Sequence, residues 1–299
     1  MSMEKGDPML RWSQWLRTYF MVFVLGTTLA PGSVRCQSLW IPRDRDQSVL
    51  LEILKPGLEY IDEDTFTAAF FLDGRFALGP NVFLVGEIPF SRFAGDYYFY
   101  VGSPHRSEAA PGKVYVGVEI RGSESPFFGE FGVRLPTSDE NKFGANLTGS
   151  GSDRARVAFG ANNVSVHAAI NLREVSGSGI AARLRMGTIL LLPTENNSPS
   201  PLPFITAPPF LGRTTELLGV YAWQIGYEGR VVRVGGALSG MILFTDDRGN
   251  LGERSTNQLE FHSDFGPWRA RPGVDLRLPL DSAAALVPVV LGVSVSVGL

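Results

Sequence analysis

The chain has 299 residues, a formal net charge of −3, 19% charged residues, 34 glycines, 20 prolines and one cysteine. No acidic or basic block marks a nucleic-acid partner, and one cysteine builds no disulfide scaffold. The length suits one large all-β domain or two small ones.

The first element reads as an export signal. Arg11 and Arg17 flank the start of an apolar run, Tyr19 to Gly26, and Val34 and Cys36 place small residues where a signal peptidase reads, so cleavage is expected before Gln37. The run is shorter than the roughly 20 residues of a spanning helix, which argues against a membrane anchor. Arg35 beside Cys36 argues against a lipoprotein. Removing residues 1–36 takes away the cysteine, four basic and two acidic residues, and shifts the net charge from −3 to −5. Residues 37–299 remain as one expected domain. No later segment reaches the ~18 uninterrupted apolar residues of a transmembrane helix.

From Val49 onward apolar residues recur at every second position, the period of a strand with two unlike faces. A first strand is expected near Val49 to Leu54. Ala68, Phe70, Leu72 and Phe76 then oppose Asp73 and Arg75, and past the turn at Gly79-Pro80-Asn81, Leu84, Ile88 and Phe90 oppose Glu87. Val114, Val116, Val118 and Ile120 alternate with Lys113, Glu119 and Arg121. A turn at 122–126 leads to Phe127, Phe131, Val133 and Leu135 against Glu130 and Arg134. Residues 155–163 break the parity, which predicts a bulge or a small loop hairpin there.

Val164, Val166, Ala168, Ile170 and Leu172 oppose Ser165, His167, Asn171 and Arg173. The Ser176–Gly179 turn opens onto Ile180, Leu184, Met186 and Leu190 against Arg183 and Arg185. Leu217, Tyr221, Trp223, Ile225 and Tyr227 oppose Glu216 and Gln224, and past Glu228-Gly229, Val232, Val234 and Leu238 oppose Arg233. Leu259 and Phe261 oppose Glu260 and His262. Beyond Gly266-Pro267, Val274, Leu276 and Leu278 oppose Arg269, Arg271, Asp275 and Arg277. In the final run Leu291, Val293, Val295, Val297 and Leu299 alternate with Gly292, Ser294, Ser296 and Gly298, an aliphatic face backed by a small, polar one.

Connections alternate between short turns (near Gly79, Ser123, Gly177, Gly229 and Gly266) and long ones (94–112, 136–153, 193–213, 245–255). About 12 strands with this alternation predict a transmembrane antiparallel up-and-down β-barrel, short turns at the periplasmic end and long loops outside. A secreted β-sandwich also alternates. However, these strands run to about nine residues or more, as a tilted bilayer crossing needs. Their apolar face also persists on every strand, and Phe127, Tyr227 and Trp268 flank short turns on that face, like an interfacial aromatic girdle.

In a barrel the charged parity faces inward. The expected lumen residues are the ionisable side chains named above, from Asp73, Arg75 and Glu87 through His167 and Arg233 to Asp275 and Arg277. Many of the arginines fall near short turns. Two readings of this face stand level: a polar pore whose basic inner zone guides anionic or polar solutes, and a charge lattice that fills a narrow lumen. No phosphate loop, zinc or calcium spacing, or nucleophile elbow occurs, so neither metal nor cofactor is expected. Ser165 and His167 share a face, but residues two apart on a strand stand ~7 Å apart, which argues against a nucleophile–base pair. His262 lies near Glu260 and Asp264, and His105 lies in a long loop. Each reads as a wall or loop residue. The aromatic stretch 94–100 and the Pro-rich stretch 201–210 are expected to pack as loops, with inward folding as a constriction the second reading.

Two stretches carry a family resemblance. One is Gly74-Arg75-Phe76-Ala77-Leu78-Gly79-Pro80-Asn81, leading to Glu87-Ile88-Pro89-Phe90. The other is Gly117-Val118-Glu119-Ile120-Arg121, followed by Gly132-Val133-Arg134-Leu135-Pro136-Thr137. In them the chain resembles the outer-membrane transporter-like family associated with the meta pathway of phenol degradation. The resemblance covers about a quarter of the chain and supplies no site residues. It implies a Gram-negative outer-membrane barrel passing small organic compounds, with the lipid bilayer and the barrel-insertion machinery as partners. Leu299 departs from the aromatic residue that ends many such barrels. A barrel enzyme acting on lipid or peptide, and a structural or adhesive barrel, are the alternative expectations.

Overall fold

The computed structural model describes residues 47–58, 61–63, 67–97, 106–122, 125–139, 141–149, 152–160, 162–194, 214–245, 254–266, 269–280 and 287–299. The expected signal sequence, His105, Trp268, residues 98–100 of the aromatic stretch and the Pro-rich stretch 201–210 lie outside them.

The alternating segments form twelve antiparallel strands. They are β1 (Ser48–Gly57), β2 (Ile61–Glu63 and Ala68–Ala77), β3 (Val82–Tyr97), β4 (Arg106–Pro111 and Tyr115–Arg121), β5 (Phe127–Arg134), β6 (Asn163–Val175), β7 (Ile180–Pro193), β8 (Glu216–Glu228), β9 (Val232–Leu243), β10 (Ser255–Phe265), β11 (Ala270–Pro279) and β12 (Val289–Gly298). Each strand pairs with the next, and both pieces of β2 and of β4 pair with β3. β12 then pairs with β1 over ten residues, from Ser48 opposite Gly298 to Gly57 opposite Val289, so the sheet closes on itself. The paired extensions 94–97 and 106–111 fall within the stretch expected to be a long loop.

The two faces separate by chemistry. Leu51, Leu72, Ile88, Val118, Phe131, Ile170, Met186, Trp223, Phe261, Val293 and Val295 are exposed on one side, while the opposite parity is buried and carries most of the charges. In a closed sheet the buried face is the interior. An exterior of aliphatic and aromatic side chains on every strand is what acyl chains solvate and water does not, and among the described residues no helix is long and apolar enough to cross a membrane. The short turns are tight. At one, Gly179 donates its N–H to Ser176 O at 2.9 Å with φ of 88°, where a Cβ would also strike the Tyr227 ring.

The parity break at 155–163 is a helical insert, which corrects the expected bulge or hairpin. Two short helices, α1 (Phe143–Gly149) and α2 (Asp153–Phe159), join β5 to β6. The apparent period-2 signal of Val157 and Phe159 comes from a helix that sends neighbouring side chains to different walls. Val157 joins a buried cluster with Ile189, Leu191, Leu218, Val220 and Met241 of β7–β9. Ala158 and Phe159 join another with Leu54, Phe71, Phe93 and Val290 on β1–β3 and β12. Phe159 meets Phe71 edge-on, ring centroids 6.0 Å apart at 81°. These walls are six strands apart, so the insert spans the long-loop half of the interior. Burying Val157 and Phe159 contributes about 2–3 kcal/mol each toward docking the insert.

β4 is bent by a bulge at Gly112–Val114, opposite Pro89 of β3. Pro89 accepts the Gly112 N–H at 2.9 Å but has no N–H to return. The Thr137 hydroxyl takes over, donating to Gly112 O at 2.6 Å and accepting from Val114 N at 3.1 Å. The Lys113 N–H turns inward to Ala158 O at 2.6 Å, fastening the insert to the wall.

Val295→Arg places a guanidinium on the outward face of β12. For a lipid-solvated face the expected cost is about 2–4 kcal/mol in urea titrations of vesicle-folded protein, whereas a water-facing position would cost less than about 0.5 kcal/mol.

Candidate functional site: the barrel interior

Every strand sends alternate side chains inward, and five interior ion pairs share one geometry. An arginine reaches over one intervening strand to a carboxylate on the next but one. Arg75 on β2 crosses β3 to Glu119 on β4 at 2.7 Å, its guanidinium 3.6 Å from the Phe83 ring centroid on the strand between. Arg134 on β5 crosses β4 to Glu87 on β3 at 2.6 Å, passing 5.2 Å from the Tyr115 ring. Arg185 on β7 crosses β6 to Glu130 on β5 at 2.7 Å and also donates to Asn171 Oδ1 at 2.9 Å. Arg173 on β6 crosses β7 to Glu228 on β8 at 2.7 Å, and Arg277 on β11 crosses β12 to Glu52 on β1.

This explains an otherwise unfavourable register. Asp73 stands directly opposite Glu87, Glu119 opposite Glu130, and Arg173 opposite Arg183. Like charges so placed repel on a solvated sheet. Here Glu87, Glu119 and Glu130 each receive an arginine from farther round the ring, and Glu228 bridges Arg173 and Arg183. Small residues make room. Tyr115 lies along the wall over Gly117 and Gly132, where a Cβ would overlap its ring, and donates to Glu130 Oε1 at 2.6 Å.

Around Arg277, Nε lies 3.1 Å from Asp275 and 3.6 Å from Glu260, with His262 Nδ1 3.5 Å from Glu260. Arg277 also reaches Ser152 between the two helices. Near the long-loop end, Lys113 Nζ donates to Asn163 Oδ1 at 2.5 Å and Arg134 to Lys113 O at 3.1 Å. Arg233 stands 3.8 Å from Asp264. Asp73, Arg233, Glu260, His262, Asp275 and Arg277 are buried, Arg271 is half-buried, and Arg269 is exposed beside its turn.

Ser165 Oγ and His167 Nε2 lie 2.9 Å apart, which corrects the expectation that they stand out of reach. The ~7 Å separation applies to Cα atoms, and both side chains lean toward each other along the strand. Both are buried, with the imidazole edge-on to Tyr115 at 5.3 Å.

Exposure differs along the interior. Near the short-turn end several arginines keep water contact, among them Arg121 (25%), Arg173 (24%) and Arg183 (17%), with the half-buried Arg271 and the exposed Arg269 at the same end. Arg121 also lies over Phe83 and Phe128, at 5.1 and 5.2 Å. The mouth at this end is thus basic and partly aromatic, and the interior beyond it is packed.

Arg277→Met leaves the buried carboxylates of Glu52, Glu260 and Asp275 without their shared cation. The expected loss is about 3–5 kcal/mol of folding stability, read as a lower urea midpoint of the detergent-folded barrel. Adding Glu52→Gln should restore part of it.

No family model matches the chain, and no curated protein does. Among solved structures it is similar to the COG4313 outer membrane channel from Pseudomonas putida F1, with a TM-score of 0.56 and 10% identity over 89% of this chain and 99% of that one. Weaker likenesses are LpxR from Salmonella typhimurium (TM-score 0.44, 8% identity, 84% and 100% covered) and a mutant of the TodX monoaromatic hydrocarbon channel (0.40, 10%, 86% and 90%). The first shares its fold with this chain: a closed, antiparallel barrel of the outer-membrane type.

Proposed function

We propose that the chain is an outer-membrane channel for small solutes, exported by residues 1–36 and inserted as a barrel by residues 37–299. The observation that carries this reading is the graded interior. Water-accessible arginines line the short-turn mouth, and the way onward is narrowed by the ion pairs of the wall and by a docked helical insert. An arginine-rich mouth favours polar and anionic solutes, including organic acids, since a fixed guanidinium pairs with carboxylate in bidentate fashion. The chain's likeness to an outer-membrane channel is in keeping with this reading. Among the described residues, the hydrogen-bonded Ser165–His167 pair is the feature that favours a barrel hydrolase. Its burial speaks against that alternative.

In planar bilayers the protein is expected to give small, anion-preferring conductance steps. Replacing residues 141–160 by a short Gly-Ser linker should enlarge the steps several-fold, and Arg121→Gln with Arg173→Gln should reduce the anion preference. Absence of conductance in both the intact and the insert-deleted barrel would overturn the proposal.

A further inference from the structure

The exterior is apolar on all twelve strands, so its few charges stand out. Among strand residues with described side chains, only Lys55, Arg92 and Glu174 carry a charge at neutral pH and lie on the outward parity. Glu174 lies beside the short turn after β6. The two cations lie at the other end of the barrel, and they lie together. Ala68 of β2 pairs with Arg92 of β3, and Leu54 of β1 pairs with Ala69, so Lys55 falls level with Ala68 and Arg92. Two cationic stems therefore flank one methyl group, their strands about 10 Å apart at two inter-strand spacings.

Their depth is that of an interface. Arg92 is the eleventh residue of β3, and a tilted strand crosses the hydrocarbon in about 9–11 residues. On the membrane side of the cations, Phe70 and Phe90 form a tilted aromatic pair with centroids 6.2 Å apart, flanked by Ile53, Leu72 and Ile88. The surface thus offers two positive groups above an aromatic and aliphatic platform. A charge facing acyl chains would cost a few kcal/mol, whereas at headgroup level each cation attracts an anionic lipid.

We infer that Lys55 and Arg92 form a binding site for a phosphate-bearing lipid of the outer leaflet, its phosphates held by the two cations and its acyl chains laid over Phe70 and Phe90. This rests on the barrel being a membrane protein with its long-loop end outward, and not on what passes through it.

The test uses the full chain folded in micelles, with folding verified by a heat-modifiable band on a gel. Native mass spectrometry then compares retention of bisphosphorylated lipid A with that of the same lipid stripped of phosphate. The intact protein is expected to favour the phosphorylated form by about thirty-fold, the effect of two interfacial cations. K55Q/R92Q should abolish the preference, and E174Q should keep it. Equal retention of the two lipids, or a preference unchanged in K55Q/R92Q, overturns the site. Displacement of the lipid by millimolar inorganic phosphate overturns the lipid as the ligand and leaves a free-anion site. A protein lacking the heat-modifiable form overturns the membrane reading, and this site with it.

Discussion

In hydrocarbon an unpaired backbone amide has no water to bond, and each one costs several kcal/mol. That cost governs this molecule. An open sheet of twelve strands would present two unpaired edges to lipid, and pairing of Ser48–Gly57 with Val289–Gly298 removes both. Closure then leaves only two environments for a side chain, acyl chains or the enclosed interior. The alternation of every strand follows from it, down to Val293 and Val295 outside and Ser296 inside. Where the ladder does fail, at Pro89, the Thr137 hydroxyl and the bulge of β4 replace the missing partners.

Closure also fixes how the interior handles charge. Inside the ring, direct cross-strand neighbours are often of like sign, and Arg75, Arg134, Arg173, Arg185 and Arg277 each reach past one strand to a counterion. Its guanidinium is flat enough to lie over Phe83 or Tyr115 on the way. These reaches act as chords across the lumen wall and occupy the space that a wider pore would leave to water. The interior is therefore a lattice along most of its length, and its water-accessible arginines, Arg121, Arg173 and Arg183 among them, lie near the short-turn end.

Much of this was legible in the sequence because a period of two is unambiguous when one face meets lipid. The turns at Gly79, Gly177 and Gly229, the outward set of Leu291 to Leu299 and the inward set from Asp73 to Arg277 all follow from parity. What parity does not encode is contact between strands that are not neighbours. The pairs Arg75–Glu119 and Arg277–Glu52 depend on curvature and on the size of the residue between, which adjacent-strand reasoning omits. The insert escaped for a different reason. Val157 and Phe159 are spaced like strand residues, and seven-residue helices are too short to show a helical period. Ser165 and His167 escaped because backbone spacing was read as side-chain spacing.

The fastening of the insert at Lys113 has a consequence for how freely these positions drift. The contact from Lys113 N to Ala158 O is made by main-chain atoms on both sides. Exchange of either side chain for another leaves the tether in place, proline at 113 excepted. Side chains on the two helices can therefore be exchanged, and the surface they show to the barrel interior altered, with the insert still held to the wall through its main chain.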